Sequence, residues 1–481
     1  MAMITPTAPA RVQADAWGAA AVGVYLVAVP LVSVATPGLG GHDLARLAQI
    51  GVGGVCALAL LARLARPTSA SPLRGPGRLG LAALLVGAML ALAGIAGAPS
   101  PAMAGRETTL FLGLWAIAAT VVEAGGRGCG LSAIAATASY AVVVMAIALV
   151  ATLGGGVFDR LSLFVGYDNH RFYNHVQTAA LPMVAAALFL PGLPRLARLG
   201  GMVGLGGGFA LLFASAGRGT ALALVAATAL TWAAVGRPAW PVVRAMAAAS
   251  AAGLALFALV FLCLPALASG GAPPMADYAA SRMSSDQARG YLWQVALDQI
   301  RAAPWLGIGP MHAAHWPNLK AAHPHNVYLQ VAAEWGLPMA SLLLAAIATG
   351  LVRLRRCLRS ATRDVPVGVA LTIGCVAVLV DGLVSGNFVM PVSQVWIAVL
   401  AGWTVAWCHA NRGASGHPGA GFTVRTRWVG AAAALLTLVS HLWLAASIAP
   451  EVEDLGAHLS QAREAFPSER TQPRFWSQGR F

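Results

Sequence analysis

The stretch HPHNVYLQVAAEWGLPMASLLLAAIATGLVRLRRCLR, residues 323–359, decides the fold. It opens on two histidines, a proline and an asparagine, and runs without a charge from Trp335 to Val352. It closes on Arg353, Arg355, Arg356 and Arg359. An apolar helix of that length, rising 1.5 Å per residue, is long enough to cross a bilayer. Arginines cluster on the cytoplasmic side of such spans, which puts the histidines at the opposite face.

The rest of the chain repeats this pattern. Of 481 residues, 58% are apolar and 10% charged, against about 25% charged in a soluble domain, and the mean hydropathy is +0.71. A soluble fold has no means of hiding so much apolar surface, so a soluble enzyme, a disordered chain and a secreted disulfide scaffold are excluded. The long unbroken runs also exclude a β-barrel, whose strands alternate. The fold class expected is an all-α polytopic membrane protein with about 12–14 transmembrane helices and one large loop containing short helices. Thirteen is the best count. The first span reads as an anchor rather than a cleaved signal. Residues 1–268 hold spans one to nine, 269–326 the loop, 327–449 spans ten to thirteen, and 450–481 a tail.

Orientation follows from arginine. With a cytoplasmic N-terminus, Arg63, Arg66, Arg74 and Arg78, then Arg195 and Arg198, Arg237 and Arg244, the run Arg353–Arg363, and Arg412, Arg425 and Arg427 all fall inside. The acidic group Glu451, Glu453 and Asp454 falls outside. The net charge of +14 reads as these basic loops; Lys320 is the one lysine, and no nucleic-acid partner is expected. The six cysteines are scattered without a CxxC pair, as small buried residues would be.

Four features that could carry chemistry then share the outer side. In 323–336, Pro324 stops a helix from running back through the histidines, leaving His325 at the mouth of span ten as a candidate general base, with His323 beside it. Asn326, Gln330 and Glu334 recur every four residues and lie on one helical face; at that depth they must line a wet cavity or be paired. Arg218, in the turn SAGRG, is an isolated fixed cation among small residues, suited to a phosphate. Arg289, with Arg282 and Arg301 nearby, is a second cation, set on an amphipathic helix expected over 286–302. The cluster DNHRFYNH, 168–175, contributes Asn169, Arg171 and Asn174. His312, His315, His323 and His325 have spacings zinc tolerates, but there is no HExxH and no acidic residue among them; no metal or other cofactor is expected. Each feature also has a plainer reading: a snorkelling arginine, an aromatic belt, a helix-packing polar stripe.

The order of these parts resembles the O-antigen ligase and polymerase superfamily of bacterial inner-membrane glycan transferases. SAGRGT is followed by ARGYLWQVALDQIRAAPWLGIGP and then by HPHNVYLQVAAEWGLP opening a span. Arg289, Trp293, Pro304, Leu306, Gly307 and Gly309 fit the family's pattern, and the resemblance covers roughly residues 165–410. It implies a GT-C-like, metal-independent transferase of the inner membrane whose donor is a glycan on undecaprenyl pyrophosphate. It further implies catalytic His325, with Glu334 matching an acidic family position, and Arg218 and Arg289 on the pyrophosphate; Arg171 would join them, with His323, Asn326, Gln330 and Asn174 in support. The acceptor differs between branches. Lipid A–core comes first, ahead of a protein hydroxyl, as in O-oligosaccharyltransferases, and a second repeat unit, as in polymerases. DNHRFYNHVQTAALP, VDGLVSGNFVMPVSQVW and QPRFWSQGRF resemble the protein-glycosylating branch. A lipid-linked glycan transporter is the non-enzyme alternative, with Asp381 its best intramembrane charge. If His325 is the base, transfer falls as pH drops through its pKa, and a rate flat from about pH 5 to 8 counts against the role.

Overall fold

The computed structural model describes residues 13–32, 40–65, 78–154, 163–270, 287–317, 321–411, 424–465 and 473–479. Arg66, Arg74, Arg282, Lys320 and Arg412 lie outside them. The described residues form α-helices and short turns, with no strand among them: α1 Gln13–Val32, α2 Gly41–Leu64, α3 Arg78–Gly97, α4 Pro101–Ala124, α5 Gly126–Leu153, α6 His170–Leu188, α7 Arg195–Ala214 and α8 Arg218–Val235. Next comes α9 Trp240–Phe257, which continues through a π-helical turn, Ala258–Cys263, into Leu264–Ser269. The order closes with α10 Gln287–Ala302, α11 Val327–Ser360, α12 Val365–Asp381, α13 Pro391–Asn411, α14 Val424–Glu453 and α15 Leu455–Ala465. Among the described residues ten helices are long and apolar enough to cross a membrane, and Trp17–Val32 and Val365–Asp381 are shorter apolar helices. The chain is a multi-pass membrane protein.

Contacts between distant residues sort the helix ends into two layers. At one end Arg63 pairs with Glu123 at 2.6 Å, Arg427 donates to the Leu64 carbonyl, and Arg363 N–H donates to Asn411. At the other, Asp168 accepts from the N–H groups of Gly41 and His42, the Val327 N–H donates to Gly382 O, and the Ser100 N–H donates to His312 Nε2 at 2.9 Å. The described arginine clusters lie in the first layer and the polar motifs in the second. A buried core of small and aliphatic residues fills the space between, with Trp396 and Trp403 among its largest side chains. Close approach rests on small residues, as is usual where lipid supplies no hydrophobic drive: a Cβ on Gly253 would stand 2.7 Å from the Gly206 carbonyl of α7.

Span ten departs from the expected continuous helix. Within α11 Gly336 has φ 82° and ψ 164°, breaking the run into a short piece, Val327–Trp335, and a long one. The loop after α10 docks on that break. Ile308 and Gly309 N–H groups donate to the carbonyls of Ala333 and Glu334, and Leu337 N–H donates to Pro304 O. This is backbone against backbone, so side chains are excluded: a Cβ on Gly307 would lie 2.3 Å from Glu334 O, and one on Gly336 2.2 Å from Trp305 O. Both glycines also have positive φ. The PWLGIGP segment is thus a backbone latch that fixes the broken helix. Because the helix breaks, Gln330 and Glu334 do not face an open cavity but are paired: Gln330 Nε2 donates to Glu334 Oε2 at 3.1 Å.

The tail is likewise not a free appendage. Arg474, Phe475, Trp476 and Gln478 are buried, seated between α2, α4, α11 and α14 at the motif-bearing end.

Candidate active site

His325 stands one residue before the N-cap of α11. Asn326 Oδ1 accepts from the N–H groups of Tyr328 and Leu329, both at 3.0 Å, satisfying orphan donors of the first turn. The cap fixes where the helix begins and hence where His325 sits. His325 itself has φ 52°, a left-handed conformation that costs a non-glycine residue on the order of 1–3 kcal/mol and clusters at functional sites. Its N–H donates to His323 Nδ1 at 3.3 Å, and the two rings meet edge to face with centroids 4.2 Å apart. His323 is buried; His325 is partly open.

Two arginines on different helices act on His325. The fields of Arg171, on α6, and Arg289, on α10, both reach His325. Burial and then these cations push His325 down to about 4 from an ordinary 6.5, so its imidazole is neutral and able to accept a proton at physiological pH. His323 is also held well below the usual range, by burial first and then by His325 and Arg474.

The site extends to residues the sequence reading did not assign. His175 lies one turn beyond Arg171 on the same face of α6, and its Nδ1 is 4.0 Å from Asp381 Oδ2 at the end of α12. Ser385 Oγ donates to that carboxylate at 2.7 Å. Gly386 separates the histidines: a Cβ there would lie 2.6 Å from His323 Cε1 and 3.6 Å from His175 Nε2. Asp381 also receives the field of Arg289, and a Cβ on Gly219 would be 3.5 Å from its Oδ1. The Arg218–Gly219 turn therefore borders the same cluster. Arg218 is exposed, and the preceding Ala216 has φ 47°, a second strained non-glycine residue beside the site. The sequence signal for Asp381 was present, since an ionisable group at a span's end points to function, but it was weighed only for transport. His175 was inside the quoted motif and was passed over for its neighbours.

Other motif residues turn out to hold the frame. Asp168 caps α2 from across the bundle and Asn169 caps α6 by accepting from Arg171 N–H. Asn174 accepts from Ser215 Oγ at 2.6 Å, and its carbonyl accepts from Thr220 Oγ1, pinning the SAGRG turn. α10 occupies the expected amphipathic stretch and buries Leu292, Ala296 and Gln299. Arg301 forms an exposed ion pair with Asp298, a contact worth little. His312 has both ring nitrogens engaged, Nε2 accepting from Ser100 N–H and Nδ1 facing Pro310 O at 2.8 Å, which makes it a brace. Among the described residues no group of three or more His, Cys, Asp or Glu is arranged to hold a metal ion.

Glu334 is fully buried. Its Oε2 accepts from Arg474 at 2.6 Å and its Oε1 from Ala313 N–H at 3.0 Å. Glu107 of α4 accepts from the same Arg474 nitrogen at 2.6 Å. Neither Glu107 nor Arg474 was a sequence candidate.

What the cluster offers chemically is a neutral histidine beside two or three fixed cations, at one end of a membrane bundle. Groups of this kind can bind an anion and accept a proton from a hydroxyl. Residues 203–344 match the family model described as O-antigen ligase; the match runs from α7 through the SAGRG turn and α10 into the second piece of α11. No curated protein matches the chain.

Proposed function

We propose that this chain, whose residues 203–344 match the O-antigen ligase family model, is a glycosyltransferase that moves a glycan from undecaprenyl pyrophosphate to an acceptor hydroxyl at the periplasmic face of the bacterial inner membrane. The observation that supports the proposal is the placement of His325, strained and set against His323 at the capped start of α11, within the fields of Arg171 and Arg289 from two other helices. The acceptor hydroxyl attacks the anomeric carbon from the face opposite the pyrophosphate. A carbon–oxygen bond forms, the bond to the pyrophosphate oxygen breaks with its electron pair, and the proton passes to His325. The leaving group is already good, so the protein's task is to neutralise its charge and to position an alcohol. Arg289, Arg171 and Arg218 take the first role. His325 takes the second, with His323, His175 and Asp381 behind it. Glu334, with Gln330 and Asn326, holds the helix that carries the histidine. The reaction proceeds without a metal or other cofactor. On this reading lipid A–core is the first acceptor, ahead of a protein hydroxyl and a second repeat unit.

The test is a deletion strain restored with wild type or His325→Ala, with lipopolysaccharide and glycoproteins stained in parallel. Loss of long lipopolysaccharide with accumulating lipid-linked glycan supports the ligase. Loss of protein glycosylation alone transfers the proposal to a protein acceptor. Full restoration by His325→Ala removes the catalytic role assigned to that residue.

The depressed His325 also revises the expected pH profile. The limb of kcat/KM, which reports the free enzyme, falls near pH 4 rather than near 6.5, so a rate flat from about pH 5 to 8 becomes the expected result. Bound pyrophosphate offsets the fields of Arg171 and Arg289, so the limb in kcat should lie at higher pH than the limb in kcat/KM. A limb in kcat below that in kcat/KM would contradict the placement of the anion.

A further inference from the structure

The last described segment, 473–479, is bound by residues of four helices, α2, α4, α11 and α14. Arg46 of α2, itself 2% exposed, donates to the carbonyls of Arg474 and Phe475 at 2.8 and 3.1 Å. The same guanidinium reaches Gln394 of α13 and the Val389 carbonyl. Asp43 accepts from both the N–H and the hydroxyl of Ser477. Trp476 Nε1 donates to Glu451 of α14 at 2.8 Å, and Arg46 and Arg106 flank the Phe475 ring at 5.8 and 5.6 Å. Every one of these partners is far away in sequence.

Arg474 is the point where this network meets the histidine-bearing helix. One of its nitrogens, Nη2, serves both Glu107 and Glu334. Glu334 in turn holds Ala313, in the loop that follows α10, and Gln330, one turn into the helix capped by Asn326. Two segments thus hang on one carboxylate: the one that leads from Arg289 and the one that leads from His325. Without the guanidinium, two buried carboxylates would face each other, which a dry site does not tolerate. The helix piece would have to shift to bring water to Glu334.

We propose that the C-terminal segment is a strap that completes the transfer site, with Arg474 the positioning residue that sets His323 and His325 through Glu334. The proposal rests on the transferase reading above for its kinetic consequence but not for its structural one. Arg474 touches neither donor nor acceptor in this arrangement. It therefore acts on the rate of the chemical step and leaves donor binding to Arg171, Arg218 and Arg289.

The experiment uses full-length protein in lipid nanodiscs. Histidines are labelled with diethyl pyrocarbonate and read by mass spectrometry, with partly exposed His409, at the other end of the bundle and outside the 312–325 loop, as internal reference. In Arg474→Ala, labelling of His323 relative to His409 should rise about tenfold, as a tenfold shift in a local opening equilibrium gives. Its kcat should fall about 10²-fold, the cost of a misplacement near 1 Å, with donor KM within about twofold. Arg474→Lys, which keeps a cation able to serve the two carboxylates through one nitrogen, should recover part of both. If Arg474→Ala fails to insert, the triple variant Arg474→Gln, Glu107→Gln, Glu334→Gln removes all three charges of this cluster together and should show the same direction of change. Unchanged His323 labelling in both variants, or wild-type kcat in either, overturns the strap. If instead His325→Ala transfers glycan like wild type, the transferase reading fails while the labelling comparison still decides the strap.

Discussion

Replacing His325 by alanine is expected to lower kcat for glycan transfer by about 10³-fold, within the range a general base supplies. The donor's KM should change little, because the imidazole meets the acceptor hydroxyl and the donor is held by arginines. The geometry supports an effect of this size. His325 is kept neutral by burial and two nearby cations, and it is held in a strained backbone conformation between a buried histidine and a helix cap. A residue in the left-handed region at a capped helix start is over-determined by its surroundings, and such strain is retained where geometry matters. His323→Ala should lose less, since His323 is buried and meets the acceptor only through its neighbour. Equal losses in the two variants would make the pair a single unit and would move the base assignment from His325 to both rings.

Replacing Arg289 by alanine is the second large effect, about 10²–10³-fold in kcat/KM, the cost of removing one preorganised stabiliser of developing charge. The field of Arg289 reaches both His325 and Asp381. Its loss should therefore show twice. The pyrophosphate loses a fixed cation, and the acid limb of kcat/KM moves up toward an ordinary histidine value of about 6.5, because one of the two cations that depress His325 is gone. Arg289→Lys keeps the charge and loses the fork, so it should preserve the limb near pH 4 and recover only part of the rate. An Arg289→Ala variant with reduced rate and an unmoved limb would separate this arginine from the histidine.

The fold was legible for a simple physical reason. Apolar runs long enough to cross a bilayer have few alternatives, and arginine's bias toward one face orders them. The described arginine clusters and the polar motifs do lie at opposite ends of the bundle. The break at Gly336 was harder to read, because Gly-Leu-Pro inside an apolar run is tolerated in membrane helices. What decides it is the approach of the 304–309 backbone, a contact made across some thirty residues. Within the site, His325, Arg171 and Arg289 could be found by asking which polar residues the membrane could not explain. The same question does not separate a cap from a ligand. Asp168, Asn169 and Asn174 are as polar as Arg171, yet they close helix ends and a turn.

Arg474 and Glu107 show the opposite failure. Arg474 sits in a polar, charged stretch near the chain's end and reads as solvated. Its burial depends on partners 367 and 140 residues away, and no local pattern announces such a pairing. Glu334 reads as catalytic only through the resemblance, where it matches an acidic family position; the structure adds that it is fully buried and paired with Arg474, linking the tail to the helix that follows His325.

The most direct test of the central reading is transfer by the purified protein. Wild type and His325→Ala are placed in vesicles containing the undecaprenyl-pyrophosphate-linked glycan, with lipid A–core and glycosylatable protein offered in parallel and EDTA present throughout. Release of undecaprenyl pyrophosphate and labelling of the acceptor are followed together. The account predicts that wild type releases the carrier and links the glycan to one acceptor despite the chelator, and that His325→Ala does neither at a measurable rate. A donor left intact by wild type, a reaction abolished by EDTA, or equal turnover by the two proteins would contradict it.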